Sequence, residues 1–305
     1  MKILSCGGAR NFVNSINCFD RRNIIHNTVS HFEDGEMCVK IDNHRDLFNE
    51  NVLVVQSLSN NVNDALMELL FTLDVVRNAL PKSIGILLTY MGYARQDRLE
   101  NLNESFSAKV TANMLSLPFV SRIFVVDIHS AQSLGFFNLP ATNIATSEFV
   151  LEDIKKKNNL SNVVLISPDA GGVKTIIKLS DILDADYNIA LKYRPRANEN
   201  KILSMVGHAL ENRDCILVDD IVDSAGTLCN VAEKLAKSGA NSIIAYITHP
   251  VLSPKAKDRI KRSHITKLYL GNTIDCAKKI ENLKNVEVLS LSDFCVEKAL
   301  SLGAF

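Results

Sequence analysis

Acids and small residues meet in the stretch Cys215-Ile-Leu-Val-Asp-Asp-Ile-Val-Asp-Ser-Ala-Gly-Thr227, and their types suit a phosphorylated sugar. Cys215 to Val218 is an apolar run of the kind that fills a sheet covered on both faces. It delivers Asp219 and Asp220 to the carboxyl end of a strand, where open α/β sheets bind ligands. The two carboxylates are acceptors for vicinal hydroxyls. Asp223, Ser224, Ala225, Gly226 and Thr227 lack bulk, so their backbone N–H groups can approach an anion closely, with Gly226 able to adopt angles that other residues avoid. Leu228, Val231, Ala232, Leu235 and Ala236 then recur at helical spacing, which places the loop at a helix N-terminus whose N–H groups and dipole favour a phosphate. Acids followed by Ser and Thr also cap ordinary buried helices, and this stretch alone leaves both readings open.

Ser167-Pro-Asp-Ala-Gly-Gly-Val173 repeats the pattern of strand, small loop and helix. Gly171 and Gly172 permit close backbone approach, and Asp169 can hold Mg²⁺ beside phosphates. In Tyr90-Met-Gly-Tyr-Ala-Arg-Gln-Asp-Arg98, Arg95 and Arg98 can grip phosphates bidentately and Gln96 can read a base edge, although a solvated loop with salt bridges has the same composition. Leu191-Lys-Tyr-Arg-Pro-Arg-Ala-Asn198 gathers cations around Pro195 and reads by itself as a basic surface loop. Val125-Val-Asp-Ile-His-Ser-Ala-Gln132 ends a strand with Asp127 and His129, a histidine whose residue-level reading is structural. Phe32-Glu-Asp-Gly-Glu36 carries the Asp-Gly signal of a turn between strands. Gly-x-x-x-x-Gly-Lys-Ser/Thr occurs nowhere, and in Gly172-Val-Lys174-Thr175 the glycine and lysine are not adjacent, which argues against an ordinary P-loop ATPase.

The elements that must position these residues alternate along the chain. Val52 to Gln56 reads as a strand, Asp64 to Leu80 as a helix stopped by Pro81, Ile84 to Tyr90 as a strand, Ser107 to Leu117 as a helix and Arg122 to Ile128 as a strand. Further on, Val163 to Ser167, Ile216 to Val218 and Ser242 to Thr248 read as strands with helices between them. Such alternation demands α/β architecture with mainly parallel sheets flanked by helices. Pro140 and small polar residues interrupt the pattern near Asn138 to Ser147, predicting one domain over 1–145 and a second over 146–305, with the last helix expected to return to the first. The halves are too different to be claimed as a repeat.

With 305 residues, 47% hydrophobic and 22% charged, the chain can bury a sizeable core. Thirty-four basic residues balance 34 acidic ones, so no global field draws nucleic acid or an anionic membrane, and any anion site must be local. The apolar run at the start is too short for a signal peptide, and the cytoplasm is the expected compartment. Seven scattered cysteines without a Cys-x-x-Cys pair read as reduced thiols, mostly buried.

Taken together, these strings resemble one family in its own order. The Asp219 to Thr227 segment resembles the 5-phosphoribosyl 1-pyrophosphate (PRPP) binding motif of type I phosphoribosyltransferases and of ribose-phosphate pyrophosphokinases. Phe32 to Glu36, Arg95-Gln96, the Asp127/His129 segment running on to Gly135-Phe136-Phe137, Ser167 to Gly172 and the Lys192/Arg194 pair resemble the pyrophosphokinases in particular. The resemblance implies two consecutive type I phosphoribosyltransferase-like domains. It implies transfer of the β,γ-diphosphoryl group of Mg-ATP to the 1-hydroxyl of ribose 5-phosphate, giving PRPP and AMP for nucleotide biosynthesis. On that basis Phe32, Asp34, Gly35, Glu36, Arg95 and Gln96 contact ATP, with the Phe32 loop coming from a neighbouring subunit of a homo-oligomer, a hexamer in the family. Arg194, Asp219, Asp220, Asp223, Ser224, Ala225, Gly226 and Thr227 bind ribose 5-phosphate, and Asp169, Ala170, Gly171 and Gly172 cradle the pyrophosphate. His129 and Asp169 hold Mg²⁺, and Lys192 and Arg194 supply the catalytic cations. The sequence departs from the family in the loop Leu99 to Glu104, which has lost positive charge, and in Asp42 to Asn51, near a regulatory phosphate or ADP site in the family. Alternatives are a PRPP-using phosphoribosyltransferase, which shares the sugar-phosphate stretch but needs no ATP strings, and a catalytically impaired regulatory relative.

Overall fold

The computed structural model describes residues 1–99, 101–196 and 199–303, and for residues 192–196 and 199–203 the backbone only. The chain forms two compact units. The first takes Met1–Ala145 with Thr273–Asp275 and Ser290–Phe305, and the second takes Thr146–Asn272 and Cys276–Leu289.

In the first unit the strands are β1 (Lys2–Ser5), β2 (Ile24–His26), β3 (Thr28–His31), β4 (Met37–Lys40), β5 (Asn51–Ser57), β6 (Ser83–Tyr90), β7 (Arg122–Val126) and β8 (Ala141–Ile144). Six of them make one sheet in the order β2-β1-β5-β6-β7-β8, with every pairing parallel. Val52 to Val55 and Ile86 to Leu88 are wholly buried, as unbroken apolar runs in a two-sided sheet must be. Helices α1 (Arg10–Asn14), α2 (Val62–Asn78) and α3 (Ser107–Leu115) connect them, and α2 turns Ala65, Leu66, Leu69, Leu73 and Val76 into the core at helical spacing. The expected helix from Asp64 to Leu80 thus starts and stops two residues early. Leu80, the residue before Pro81, takes a left-handed conformation (φ 54°). The strand expected to reach Ile128 stops at Val126, where Asp127 (φ 35°) turns the chain.

The second unit is built the same way, from α4 (Ser147–Lys157), β9 (Val163–Ser167), α5 (Val173–Leu183), β10 (Asp186–Arg196), β11 (Glu199–Gly207), β12 (Asp214–Val222), α6 (Gly226–Lys237), β13 (Ser242–Pro250), α7 (Ala256–Lys261), β14 (Lys267–Gly271), α8 (Ala277–Ile280) and β15 (Val286–Leu289). Its sheet runs β11-β10-β9-β12-β13-β14-β15, antiparallel only between β10 and β11. A last helix, α9 (Ser292–Ser301), belongs to the first unit and buries Cys295, Val296 and Ala299 there. Among the described residues no helix is long and apolar enough to cross a membrane.

One buried carboxylate organises the first unit. Glu68 on α2 is only 7% exposed. Its Oε1 accepts from the Gly7 N–H at 2.6 Å and from Asn27 Nδ2 at 2.8 Å, and its Oε2 accepts from Gln56 Nε2 at 3.0 Å. Asn27 is in turn gripped by Arg10, whose Nη2 donates to the Asn27 carbonyl at 2.8 Å. Burial and the Glu68 charge push the adjacent Cys6 thiol far above its ordinary range, so it remains protonated. Glu68→Ala strands these donors in the core and is expected to cost about 3 kcal/mol of stability. Urea unfolding of the purified variant measures it, and a loss within error of zero would remove Glu68 from this role.

Candidate active site

The sugar-phosphate stretch lies where β12 outlasts its neighbour. β12 pairs with β9 only as far as Leu217, yet it continues beside β13 to Val222. Asp219 and Asp220 therefore lie in the last part of the strand and not after it, because β13 also runs on, as far as Pro250, and extends the ladder. Both acids are half-buried. After Asp223 and Ser224 the chain turns at Ala225, which takes the left-handed conformation (φ 57°), and Gly226 is already the first residue of α6. The unusual backbone angle was expected at Gly226. The role of that glycine is instead spatial, since a Cβ there would lie 3.2 Å from Arg259 Nη1. Ala225 serves as the N-cap residue and makes no side-chain cap hydrogen bond. Leu228, Val231, Ala232 and Leu235 bury the inner face of α6 as their spacing predicts.

A second small loop follows β9, the strand adjacent to β12. Asp169 Oδ1 accepts from the Gly171 N–H at 2.9 Å and from the Gly172 N–H at 3.4 Å, while Ser167 Oγ donates to the Asp169 carbonyl at 2.7 Å. A carboxylate thus engages the amides that suit an anion at the start of α5. A Cβ on Gly172 would stand 2.9 Å from Ser167 Oγ, so a larger residue there displaces that hydroxyl. Ala170 lies exposed on the same turn.

The third contribution comes from β10, on the other side of β9. β10 pairs with β9 only through Ile189 but with β11 through Arg196, so the ribbon overhangs the carboxyl edge of the sheet. The backbone of Lys192 and Arg194 lies on this overhang, and their side chains are outside the described part. A loop was expected over 191–198. Residues 191–196 instead belong to one strand of a two-stranded ribbon, with a register shift between Tyr193 and Arg196 at Pro195, and 197 and 198 lie outside the described residues. From β9 the chain moves to β10 on one side and returns with β12 on the other, so β9 and β12 flank the topological switch point, the crevice where open α/β sheets take ligands.

In the first unit, Arg95 and Gln96 follow β6, and Asp127 and His129 follow β7, which are neighbouring parallel strands. Arg95, Gln96 and His129 are exposed. Ser107 Oγ donates to Gln96 Oε1 at 2.6 Å, and the Gln96 carbonyl accepts from the Ala108 N–H at 3.2 Å, which ties the loop to α3. Phe32 to Glu36 is the turn of the β3–β4 hairpin: the Phe32 N–H donates to the Glu36 carbonyl at 2.9 Å, the Glu36 N–H to Asp34 Oδ1 at 3.0 Å, and Gly35 takes φ 92°. Phe32 stands 61% exposed at its tip. Arg259 on α7, which no motif in the sequence singles out, donates from Nη1 to the Ser224 carbonyl at 2.8 Å. Cys229, near the loop, is pushed up to about 11 by burial, so the thiol stays protonated and is no nucleophile. Among the described residues no group of three or more His, Cys, Asp or Glu side chains converges into a ready-made metal cage.

Mainly parallel sheets flanked by helices, with small-residue loops at the carboxyl edge of the second, are the architecture of a protein of the phosphoribosyltransferase type. A family model for the N-terminal domain of ribose phosphate pyrophosphokinase matches residues 1–117, and a phosphoribosyl transferase domain model matches residues 142–276. A ribose-phosphate pyrophosphokinase of Rhizobium meliloti is 40% identical over 263 residues, covering 86% of this chain and 84% of its own. One from Hyphomonas neptunium is 37% identical over 293 residues, 96% and 93% of the two chains. The crystal structure of phosphoribosylpyrophosphate synthetase from Mycobacterium smegmatis superposes with a TM-score of 0.83 at 25% identity, over 99% of each chain. The chain belongs to the ribose-phosphate pyrophosphokinase family. Gly172→Ala, which presses a methyl group against Ser167 Oγ, is expected to weaken pyrophosphate binding at least about tenfold by calorimetry while the thermal midpoint moves only slightly. Unchanged affinity would separate this loop from the site.

Proposed function

We propose that the protein is a ribose-phosphate diphosphokinase. The 1-hydroxyl oxygen of ribose 5-phosphate attacks the β-phosphorus of ATP, the bond from that phosphorus to the α,β-bridging oxygen breaks, and AMP leaves with the oxygen while the hydroxyl proton is released. The observation that carries this reading is the adjacency of β10, β9 and β12, which brings an overhang bearing Lys192 and Arg194, a diglycine loop and a sugar-phosphate loop to one sheet edge.

On this reading Asp223 to Thr227 take the 5-phosphate, and Asp219 and Asp220 accept from the ribose hydroxyls. Asp169, Ala170, Gly171 and Gly172 form the diphosphoryl cradle. Asp169 then exchanges its own amide hydrogen bonds for a role beside the phosphates. Arg95 and Gln96 belong to the nucleotide side, with Phe32, Asp34, Gly35 and Glu36 supplied by a neighbouring copy, and the exposed aromatic ring at the hairpin tip supports that assignment. Lys192 and Arg194 offset charge that develops between the attacking and departing oxygens. Transfer of this kind rests on positioning and electrostatics, without a covalent nucleophile. By the family resemblance Asp169 and His129 would each supply a ligand to Mg²⁺, and a carboxylate such as that of Asp169 is a donor that suits a hard cation. Bound there, it would neutralise phosphate charge as a Lewis acid.

Incubation with Mg²⁺, ATP and ribose 5-phosphate is expected to release AMP in step with PRPP. PRPP turnover with a nucleobase and no AMP would replace this reading with a phosphoribosyltransferase. Chelation with EDTA should abolish the reaction, and added Mg²⁺ should restore it. Lys192→Ala is expected to lower turnover about a hundredfold or more and to leave ribose 5-phosphate affinity within about twofold, because its charge matters mainly in the transition state. Equal losses in both would remove that role. Sedimentation under assay conditions checks the shared nucleotide site: full activity from a monomer would overturn it.

A further inference from the structure

The carbonyl groups that lead out of β12 all accept from one segment, residues 252 to 259. The Leu252 N–H donates to the Val222 carbonyl at 3.0 Å, the Ser253 N–H donates to the Asp223 carbonyl at 3.1 Å, and Arg259 Nη1 donates to the Ser224 carbonyl at 2.8 Å. The described peptides are all trans, and in a trans peptide the C=O and the N–H of one unit point in opposite directions. Holding the carbonyls of residues 222 to 224 therefore turns the N–H groups of Asp223, Ser224 and Ala225 to the opposite side. There they lead into the first turn of α6, whose N–H groups have no intrahelical acceptor.

Two of these donors are main-chain groups, and Arg259 is the side chain among them. Its helix is anchored, although Arg259 itself is exposed. Ala256 and Ile260 on α7 are buried in the same core as Val222, Ala225 and Leu228, and the Ala256 N–H donates to the Ser253 carbonyl at 2.8 Å. Arg259 lies between these anchors. A Cβ on Gly226 would lie 3.2 Å from Arg259 Nη1, so a larger residue there would press on the guanidinium. Its donor reaches the carbonyl side of the loop, which is the side away from the anion.

We propose that Arg259 is a positioning residue for the sugar-phosphate loop: it sets the Ser224–Ala225 peptide, aiming the Ala225 N–H at the 5-phosphate, and does not itself touch the substrate. The proposal rests on the reading above that this loop takes ribose 5-phosphate. Without the arginine the peptide loses a charge-assisted hydrogen bond at the residue with the left-handed backbone, and its N–H is no longer held in place.

Calorimetric titration with ribose 5-phosphate, paired with steady-state kinetics, tests this on the full-length protein. Arg259→Ala is expected to raise both the dissociation constant and KM for ribose 5-phosphate about tenfold. Its kcat should stay within about threefold, and KM for ATP and the thermal midpoint should hold. Arg259→Lys, which keeps a cationic donor, should recover part of the loss. Gly226→Ala, which crowds the guanidinium, should shift the same constants in the same direction. An unchanged dissociation constant in Arg259→Ala, an equal loss of ATP affinity, or a lysine variant no better than the alanine one would overturn the proposal. If the wild-type protein binds ribose 5-phosphate but forms no PRPP, the functional reading fails and the dissociation constants still decide the role of Arg259. If it binds no ribose 5-phosphate, both fall.

Discussion

A peptide unit has its acceptor and its donor fixed on opposite sides, so whatever satisfies the carbonyl decides where the N–H points. The anion-binding role proposed for the loop after β12 depends on that constraint. At the end of β12, donors from residues 252 to 259 take successive carbonyls and leave the loop's N–H groups turned the other way. At the end of β9 the small loop meets the same requirement differently, with the Asp169 carboxylate accepting from the Gly171 and Gly172 amides. One loop is braced from behind, and the other carries an acidic side chain of its own at the amides it would offer to a phosphate.

The two units share a topological device and use it in opposite senses. In each sheet the chain leaves a central strand in one direction and returns on its other side, so a crevice opens between β1 and β5 in the first unit and between β9 and β12 in the second. In the first unit that position is filled from within. Glu68 accepts from the Gly7 N–H just after β1 and from Gln56 at the end of β5, and Asn27 completes the cluster. A buried carboxylate there accepts from the amide after β1. In the second unit the two strands lead instead into small-residue loops, with no comparable buried acid among the described residues placed across them.

Register and strand length then decide which groups reach the open edge. β12 and β10 both outlast β9, one alongside β13 and the other alongside β11. The acids Asp219 and Asp220 and the backbone of Lys192 and Arg194 therefore stand beyond the end of the strand that separates them. No side-chain type dictates this overhang. It follows from how far the neighbouring strands continue, which is a property of the assembled sheet.

Much of the architecture was legible from local pattern, because apolar runs and helical spacing act at short range: the two-sided strands β5, β6 and β9 and the inner face of α6 lie where their residues imply. Element ends were less legible, since Leu80 ahead of Pro81, Asp127 after β7 and the continuation of β12 answer to backbone angles and to neighbouring strands. The sequence by itself determined the class of fold, the small-residue loops after β9 and β12, and the family to which those strings belong. Only the tertiary structure decided that Ala225 takes the left-handed turn, that Gly226 makes room for a guanidinium, and that Arg259 reaches a carbonyl 35 residues away in the chain. Those facts depend on which carbonyl meets which donor once the chain has closed on itself, and residue type and spacing carry no record of that.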